Sequence, residues 1–265
     1  MTDRYAVIGN PVAHSLSPEI HARFAKQTQQ TLTYDRVEAP IGEFGPSASA
    51  FFASGGAGIN VTVPFKGDAC VWVDTLDELA GEAQAVNTVA LRDEKRVGYN
   101  TDGLGLVRDL AALGVMLNGA SVLLVGAGGA ARGVVRPLLD TGIVRLVVAN
   151  RTRERALALA SEIAGVEGVG VEEARGAFDI VINATSAGLV GQGDVVAPSL
   201  VVDAVCYDML YSRDGETDFC AWARTHGARR CHDGLGMLVE QAAEAFRIWR
   251  GVLPDAREVL AMLRE

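Results

Sequence analysis

One stretch limits the possible folds more than any other: SVLLVGAGGAARGVVRPLLDTGIVRLVVANRT, residues 121–152. An apolar strand runs into Gly126-Ala127-Gly128-Gly129-Ala130-Ala131, which matches G-x-G-x-x-A, and a helical segment and a second apolar strand follow. Neither strand alternates with polar residues, so each must be covered on both faces, as in a parallel sheet flanked by helices. Gly126 permits the tight turn, Gly128 lets backbone approach a pyrophosphate, and Ala131 keeps helix and strand close. The helix N-terminus adds free N–H groups and the positive end of its dipole. A glycine turn without a ligand is the bland alternative, and the strand–turn–helix–strand context favours a dinucleotide site.

The end of the second strand bears on which dinucleotide. An NAD site usually places Asp or Glu there, against the ribose 2′-hydroxyl. This chain has Ala149-Asn150-Arg151-Thr152-Arg153-Glu154-Arg155, with no carboxylate at the strand end. An arginine here can pair with a 2′-phosphate and stack on adenine, so NADP is expected. A solvated helix face is the competing account of Arg153 and Arg155.

The first hundred residues also alternate strand-like and helix-like segments. Strands are expected at 4–11, 32–39 and 57–64. Helices are expected from Ser17, with serine as its cap and Pro18 at its first position, at about 41–54, and at 77–86. Residues 87–102 predict a hairpin turning at Asp93-Glu94-Lys95. Further on, helices are expected from Asp102, over 153–164, 234–251 and 254–264, and strands at 178–185 and 200–207. The fold class is therefore α/β, with a mainly parallel sheet and a mixed edge. A length of 265 residues allows two lobes.

The net charge of −9 argues against a nucleic-acid binder, which carries a basic face, but leaves room for a small anion in a locally positive site. Met1-Thr2-Asp3-Arg4 lead straight into the strand-like "YAVIGNP", so no export leader is expected, and no apolar run reaches the length of a membrane span. The four cysteines and four histidines show no metal-ligand spacing. A cytoplasmic, metal-free protein with reduced thiols is expected, with neither nucleic acid nor membrane as partner.

Polar residues concentrate at expected strand ends: Ser15 and Ser17, Asn60, Thr62 and Lys66, Asn87, and Asp102. Ligands of open α/β sheets bind outside the carboxyl ends of the strands, so this set could line one cleft. In Asn60-Val61-Thr62-Val63-Pro64-Phe65-Lys66 the proline is expected to stop the ladder, leaving a lysine at the strand tip. Lysine is scarce: Lys26, Lys66 and Lys95 are the only ones. Singly, a helix cap, a strand threonine and a turn asparagine account for Ser17, Thr62 and Asn87. The set as a whole is harder to explain blandly.

Taken together, "VIGNPVAHSLSP", "NVTVPFK", "AVNTV", "YNTDG", "GAGGAARG", "VANRT", "NATSAG", "CYDMLY" and "DGLGMLVEQAA" make the chain resemble the NADP-dependent shikimate dehydrogenases, nearly end to end. The resemblance implies a substrate lobe of 1–101 plus 237–265, a Rossmann-type NADP lobe of 102–236, and an active site in the cleft between them. It implies that Ser15 and Ser17 hold the carboxylate of a small-molecule substrate, shikimate, with Tyr211 nearby. Thr62, Lys66, Asn87, Asp102 and Gln241 would engage the ring hydroxyls. NADP would meet Gly126, Ala127, Gly128, Gly129 and Ala130, then Asn150, Arg151, Thr152 and Arg155, with Met209 and Gly234 near the nicotinamide and Glu78 loosely associated. The implied reaction is the reversible reduction of 3-dehydroshikimate in chorismate and aromatic amino-acid biosynthesis, by a monomer or homodimer. Lys66 and Asp102 would assist as an acid–base pair, because the forming alkoxide needs positive charge and a proton, and lysine supplies both.

Two other readings compete. A relative oxidising quinate as well, often with NAD, fits the motifs but not the Asn150-Arg151-Thr152 strand end. A non-catalytic NADP-binding or regulatory protein on this fold should have lost Lys66 or Asp102, and both are present.

Overall fold

The computed structural model describes residues 2–187, 191, 193–212 and 216–265, and the chain divides into two compact units. The first comprises Met1–Gly105 with Val239–Leu263 and Glu265; the second comprises Leu106–Leu238 and Arg264.

The first unit holds a six-stranded sheet of β1 (Asp3–Gly9), β2 (Leu32–Glu38), β3 (Gly56–Val61), β4 (Thr75–Leu76), β5 (Thr88–Arg92) and β6 (Lys95–Tyr99), in the order β2-β1-β3-β5-β6-β4. β1, β2 and β3 run parallel, while β5 is antiparallel to both β3 and β6. Register decides which side chains meet. Val7 pairs with Asn60, Asn60 with Thr88, and Thr88 with Tyr99. Alternation then puts Ala6, Ile8, Ile59, Val61 and Val89 on one face, in a core with Phe44, Phe51 and Phe65. Tyr5, Tyr34, Asn60 and Thr88 share the other face. The helices here are α1 (Ser17–Gln27), α2 (Phe44–Ala53), α3 (Lys66–Trp72) and α4 (Glu78–Ala83).

α5 (Asp102–Ala112) starts in the first unit and ends in the second, whose sheet is wholly parallel. Its strands are β7 (Ser121–Val125), β8 (Arg145–Asn150), β9 (Val166–Gly170), β10 (Ile180–Asn183), β11 (Val205–Asp208) and β12 (Arg230–His232), in the order β12-β11-β10-β7-β8-β9. Read from β9, this is the 3-2-1-4-5-6 order of the doubly wound dinucleotide-binding fold. Residues Val122 and Leu124 point into one core with α5, α6 (Gly129–Leu139) and α7 (Arg153–Glu162). Leu123 and Val125 point into another with α8 (Asp218–Thr225). Cores on both faces explain why these strands carry no polar alternation. α9 (Leu235–Arg250) returns the chain to the first unit, where α10 (Ala256–Arg264) begins on an Asp255 cap. Among the described residues no helix is long and apolar enough to cross a membrane, and no cluster of His, Cys, Asp and Glu could hold a metal ion.

Several expectations need correction. Ser17 is not a helix cap. Leu16 occupies that place, and it is the Ser15 hydroxyl that accepts a hydrogen bond from the Ser17 N–H at 3.3 Å. The third strand stops at Val61, before Pro64, because β1 ends and the chain turns: Asn10 N–H bonds the Val63 carbonyl and Phe65 N–H the Thr62 carbonyl. Lys66 is accordingly the first residue of a helix, not the tip of a strand. Within 200–207 only the end is extended. Pro198–Leu200 forms a 3-10 turn and Asp203 takes a left-handed φ of 57° before β11, since an apolar run records burial rather than extension. The hairpin turns on Asp93 and Glu94, at φ 49° and 63°, and Lys95 already belongs to β6. In the segment 183–188, Gly188 lies outside the described residues.

Candidate active site

In the first unit the sheet gathers the polar residues at one end, though not as expected. Asn87 precedes a strand instead of ending one. Because β5 is antiparallel, its beginning lies beside the carboxyl ends of β3 and β6, so Asn87 joins Asn60, Thr62 and Asp102. Thr62 is half-buried and its N–H donates to the Ile8 carbonyl at 2.9 Å. Gly9 has no β-carbon because one would collide with the Thr62 methyl. Ser15 and Ser17 follow β1, their hydroxyl oxygens 3.1 Å apart, and Arg36 fixes that loop by donating twice to the Ser15 carbonyl, at 2.6 and 3.0 Å.

Lys66 Nζ lies 2.6 Å from Asp102 Oδ2, with only 14% and 7% of the two side chains exposed. Withdrawing such a pair from water is costly and is tolerated only where further hydrogen bonds complete the carboxylate. Here Asn87 Nδ2 donates to Asp102 Oδ1 at 2.9 Å. Asp102 also opens α5, where the helix dipole favours a negative charge, and its own N–H is held by Asn100 Oδ1 at 3.1 Å. The second Nδ2 hydrogen of Asn87 is shared between Thr101 Oγ1 at 2.9 Å and Gln241 Oε1 at 3.2 Å, and its Oδ1 accepts the Thr101 N–H at 2.9 Å. Lys66, Asn87, Asp102 and Gln241 thus form one hydrogen-bonded group. Chemically it offers an ammonium that can both attract an oxyanion and give up a proton, beside a carboxylate that can receive one.

Sequence reasoning passed over Thr88, Thr101 and Asn100, which hold this group in place. Their signal was the repeated Asn-Thr of "VNT" and "YNT", two polar residues at each of two strand ends that the register sets side by side.

In the second unit Gly126, at φ 113°, makes the turn after β7, and a β-carbon there would press on the Ala184 backbone at 3.2 Å. Among the described residues a β-carbon on Gly128 would meet nothing within 4 Å, so they leave the space before α6 open. Gly128 is the cap of α6 and brings no side chain, leaving the first-turn N–H groups, from Gly129 through Ala130 and Ala131, available to an external acceptor. An open glycine cradle of free donors fits a pyrophosphate.

At the end of β8, Asn150 Nδ2 donates to the Thr152 carbonyl at 2.8 Å, and α7 starts without a side-chain cap. Arg153 is committed to Glu173 at 2.8 Å. Arg151 and Arg155 are exposed and make no ion pair among the described residues. Met209 and Gly234 are brought together, since a β-carbon on Gly234 would collide with the Met209 carbonyl. Tyr211 is half-buried and follows β11 in this unit, whereas Glu78 is an exposed residue at the start of α4 in the other. Asp208, unremarked in the sequence, is buried at the end of β11. Burial pushes its pKa up to about 6, opposed by donors that include the Leu210 N–H and Asn183 Nδ2.

Three family profiles match the chain: "Shikimate dehydrogenase substrate binding domain" over residues 7–89, "Shikimate / quinate 5-dehydrogenase" over 109–197, and "Shikimate 5'-dehydrogenase C-terminal domain" over 234–264. The shikimate dehydrogenase (NADP(+)) of Alkalilimnicola ehrlichii is 52% identical over 273 residues, covering 100% of this chain and 99% of that protein. The chain belongs to the shikimate dehydrogenase family. Another shikimate dehydrogenase (NADP(+)), from Aeromonas salmonicida, is 50% identical over 99% of this chain and 97% of its own. Among solved shikimate dehydrogenases, the Thermus thermophilus enzyme in complex with NADP(H) and shikimate superposes with a TM-score of 0.88 at 34% identity, over 99% of each chain.

Proposed function

We propose that this protein catalyses the reversible NADPH-dependent reduction of 3-dehydroshikimate to shikimate, a step toward chorismate and the aromatic amino acids. The observation that carries the reading is the Lys66–Asp102 pair at 2.6 Å, completed by Asn87 and Gln241 on the fold of this family. The first unit is the substrate-binding domain and the second the NADP-binding domain. Cys70, Cys206, Cys220 and Cys231 form no disulfide among the described residues, which suits the reducing cytoplasm.

The Ser15 and Ser17 hydroxyls receive the substrate carboxylate, with Tyr211 as a further donor to it. Thr62, Asn87 and Gln241 bind the ring hydroxyls. The open Gly126–Ala130 turn binds the pyrophosphate, Asn150, Arg151, Thr152 and Arg155 bind the 2′-phosphate and adenine end, and Met209 and Gly234 border the nicotinamide, with Glu78 a peripheral contact. NADPH, when bound, supplies the hydride. As negative charge builds on the ring oxygen, the Lys66 ammonium stabilises it and delivers a proton. Asp102 holds that ammonium in place, and in the reverse direction the deprotonated Lys66 amine takes the hydroxyl proton back as hydride leaves to NADP. Asn87 keeps the carboxylate aligned. A lysine suits the role where an arginine would not, because a guanidinium keeps its proton at any working pH.

Adding 3-dehydroshikimate to purified protein with NADPH should consume NADPH absorbance, and far more slowly with NADH. No consumption with either cofactor would overturn the proposal, and equal rates would overturn the assignment to NADP.

A further inference from the structure

Behind the Lys66–Asp102 pair and Asn87 lies a line of polar side chains, Thr88, Asn60 and Tyr34, that no substrate or cofactor role explains. Asp102, as a carboxylate, can only accept, so Asn87 must present its amide nitrogen to it and its Oδ1 in the opposite direction. Thr88 Oγ1 donates to that Oδ1 at 3.0 Å. The same threonine oxygen accepts from Asn60 Nδ2 at 2.9 Å, which turns Asn60 Oδ1 outward. There Tyr34 donates its hydroxyl at 2.7 Å. These four bonds all run one way, from Tyr34 through Asn60, Thr88 and Asn87 to Asp102. Beside them, Asn87 Oδ1 also accepts the Thr101 N–H at 2.9 Å, and Asn60 Nδ2 also donates to the Asn87 carbonyl at 3.2 Å. Asn60, Thr88 and Asn87 are 6%, 0% and 3% exposed, so water does not compete for these bonds. Bonds in series with a common direction polarise one another.

The register explains how three separate strands supply the line. Tyr34 lies on β2 opposite Tyr5, Asn60 on β3 opposite Val7, and Thr88 on β5 opposite Asn60, all on one face of the sheet. An apolar residue at 60 or 88 would pack as well in such a sheet, and most strand faces under helices are apolar. A ring stack 4.4 Å from His21, nearly parallel at 8°, fixes the Tyr34 ring.

The geometry points to Tyr34, Asn60 and Thr88 as positioning residues, a hydrogen-bond relay that sets the orientation of the Asn87 amide and through it the Asp102 carboxylate. The inference rests on the reading of Lys66 and Asp102 as the acid–base pair. Its catalytic consequence is a loss in kcat, since a misplaced carboxylate leaves binding contacts in place while spoiling the reacting geometry. A misplacement of this kind costs on the order of 10–100-fold.

Thr88→Val removes the donor at constant shape, and should lower kcat by about that factor with KM for 3-dehydroshikimate changed much less. Thr88→Ser restores the hydroxyl and should restore most of kcat. Tyr34→Phe should give a smaller loss in the same direction. Tyr34 and Asn87 share no hydrogen bond, so independent roles predict that their effects add. The relay predicts instead that Tyr34→Phe costs little once Asn87→Ala has removed the next links. The same cycle read in urea unfolding free energies needs no substrate, so it tests the relay even if the proposed activity is absent. Lys66→Ala in parallel reports separately on the acid–base reading. Additive effects in the unfolding cycle, an unchanged kcat in folded Thr88→Val, or failure of Thr88→Ser to recover activity would each overturn the relay.

Discussion

Lys66 is one of only three lysines in a chain that otherwise uses arginine for its cations. Its place at the start of α3 gives it a direction as well as a charge: its carbonyl is fixed by the Val86 N–H at 2.9 Å while its ammonium reaches Asp102. Lys66→Ala should lower kcat by ~10²–10⁴, the range for a lost acid–base group, with a smaller change in KM. Lys66→Arg should stay near the alanine level although it keeps the charge, because the missing function is proton transfer. Substantial recovery by arginine in steady-state kinetics would show that charge alone suffices. The residues that touch substrate in this scheme were legible in the sequence because they sit in unusual company, a lysine after a proline or a serine pair before a helix. Thr88, Thr101 and Asn100 were not, because a threonine in a strand and an asparagine in a turn look ordinary until register shows what faces them.

Among elements, the turn before α6 and the end of β8 are where the proposed function places the cofactor phosphates. The turn was readable in advance from its glycines and the absence of a carboxylate at the strand end. The division of labour among the three arginines was not, since sequence spacing does not reveal that Glu173 binds Arg153 while also accepting the Gly170 N–H at 3.0 Å. Arg151→Ala and Arg155→Ala should each raise KM for NADPH by about tenfold, as for a lost charge-assisted hydrogen bond of ~1.4 kcal/mol, and leave NADH unchanged. Arg153→Ala should change little, since an exposed pair contributes only ~0–1 kcal/mol. Initial rates with each cofactor check all three, and a dominant effect of Arg153 would relocate the 2′-phosphate site. α3 and the shortened β3 escaped the sequence reading for another reason. Residues 60–64 alternate and end in proline like a strand, and only the end of the neighbouring β1 stops them sooner.

At the scale of the whole molecule, stability is tied to one buried imidazole. His21 is fully buried among Phe24, Tyr34, Phe246 and Trp249, and neither ring nitrogen has a well-aligned hydrogen-bond partner. Burial lowers its pKa from 6.5 to about 3, against a smaller opposing effect of the Asn60 side chain. Below pH 6.5 the unfolded chain takes up a proton that the folded chain does not. Stability is therefore lost as pH falls from 6.5 toward 3, by up to ~1.4 kcal/mol per pH unit. His21→Phe removes this term. Between pH 7 and pH 4.5 the wild type should lose ~2–3 kcal/mol more unfolding free energy than the variant, as measured by urea titration. Equal losses would mean that His21 is protonated in the folded state. The two-unit α/β plan was evident from alternating elements, but the short strands β4, β9 and β12 were not, since two to five residues carry too little pattern to separate from a loop.

The path of the chain through α5 and α9 has a consequence for synthesis. The second unit is nearly continuous and can fold as it leaves the ribosome. The first is completed only later, because Phe246 and Trp249, which cover Tyr5, His21 and Tyr34, are translated after the whole second unit. At ~5–20 residues per second that interval is on the order of ten seconds. For that time a nascent sheet stands with one aromatic face bare. The order of translation therefore sets when the first unit can be completed, at the last helices rather than the first strands.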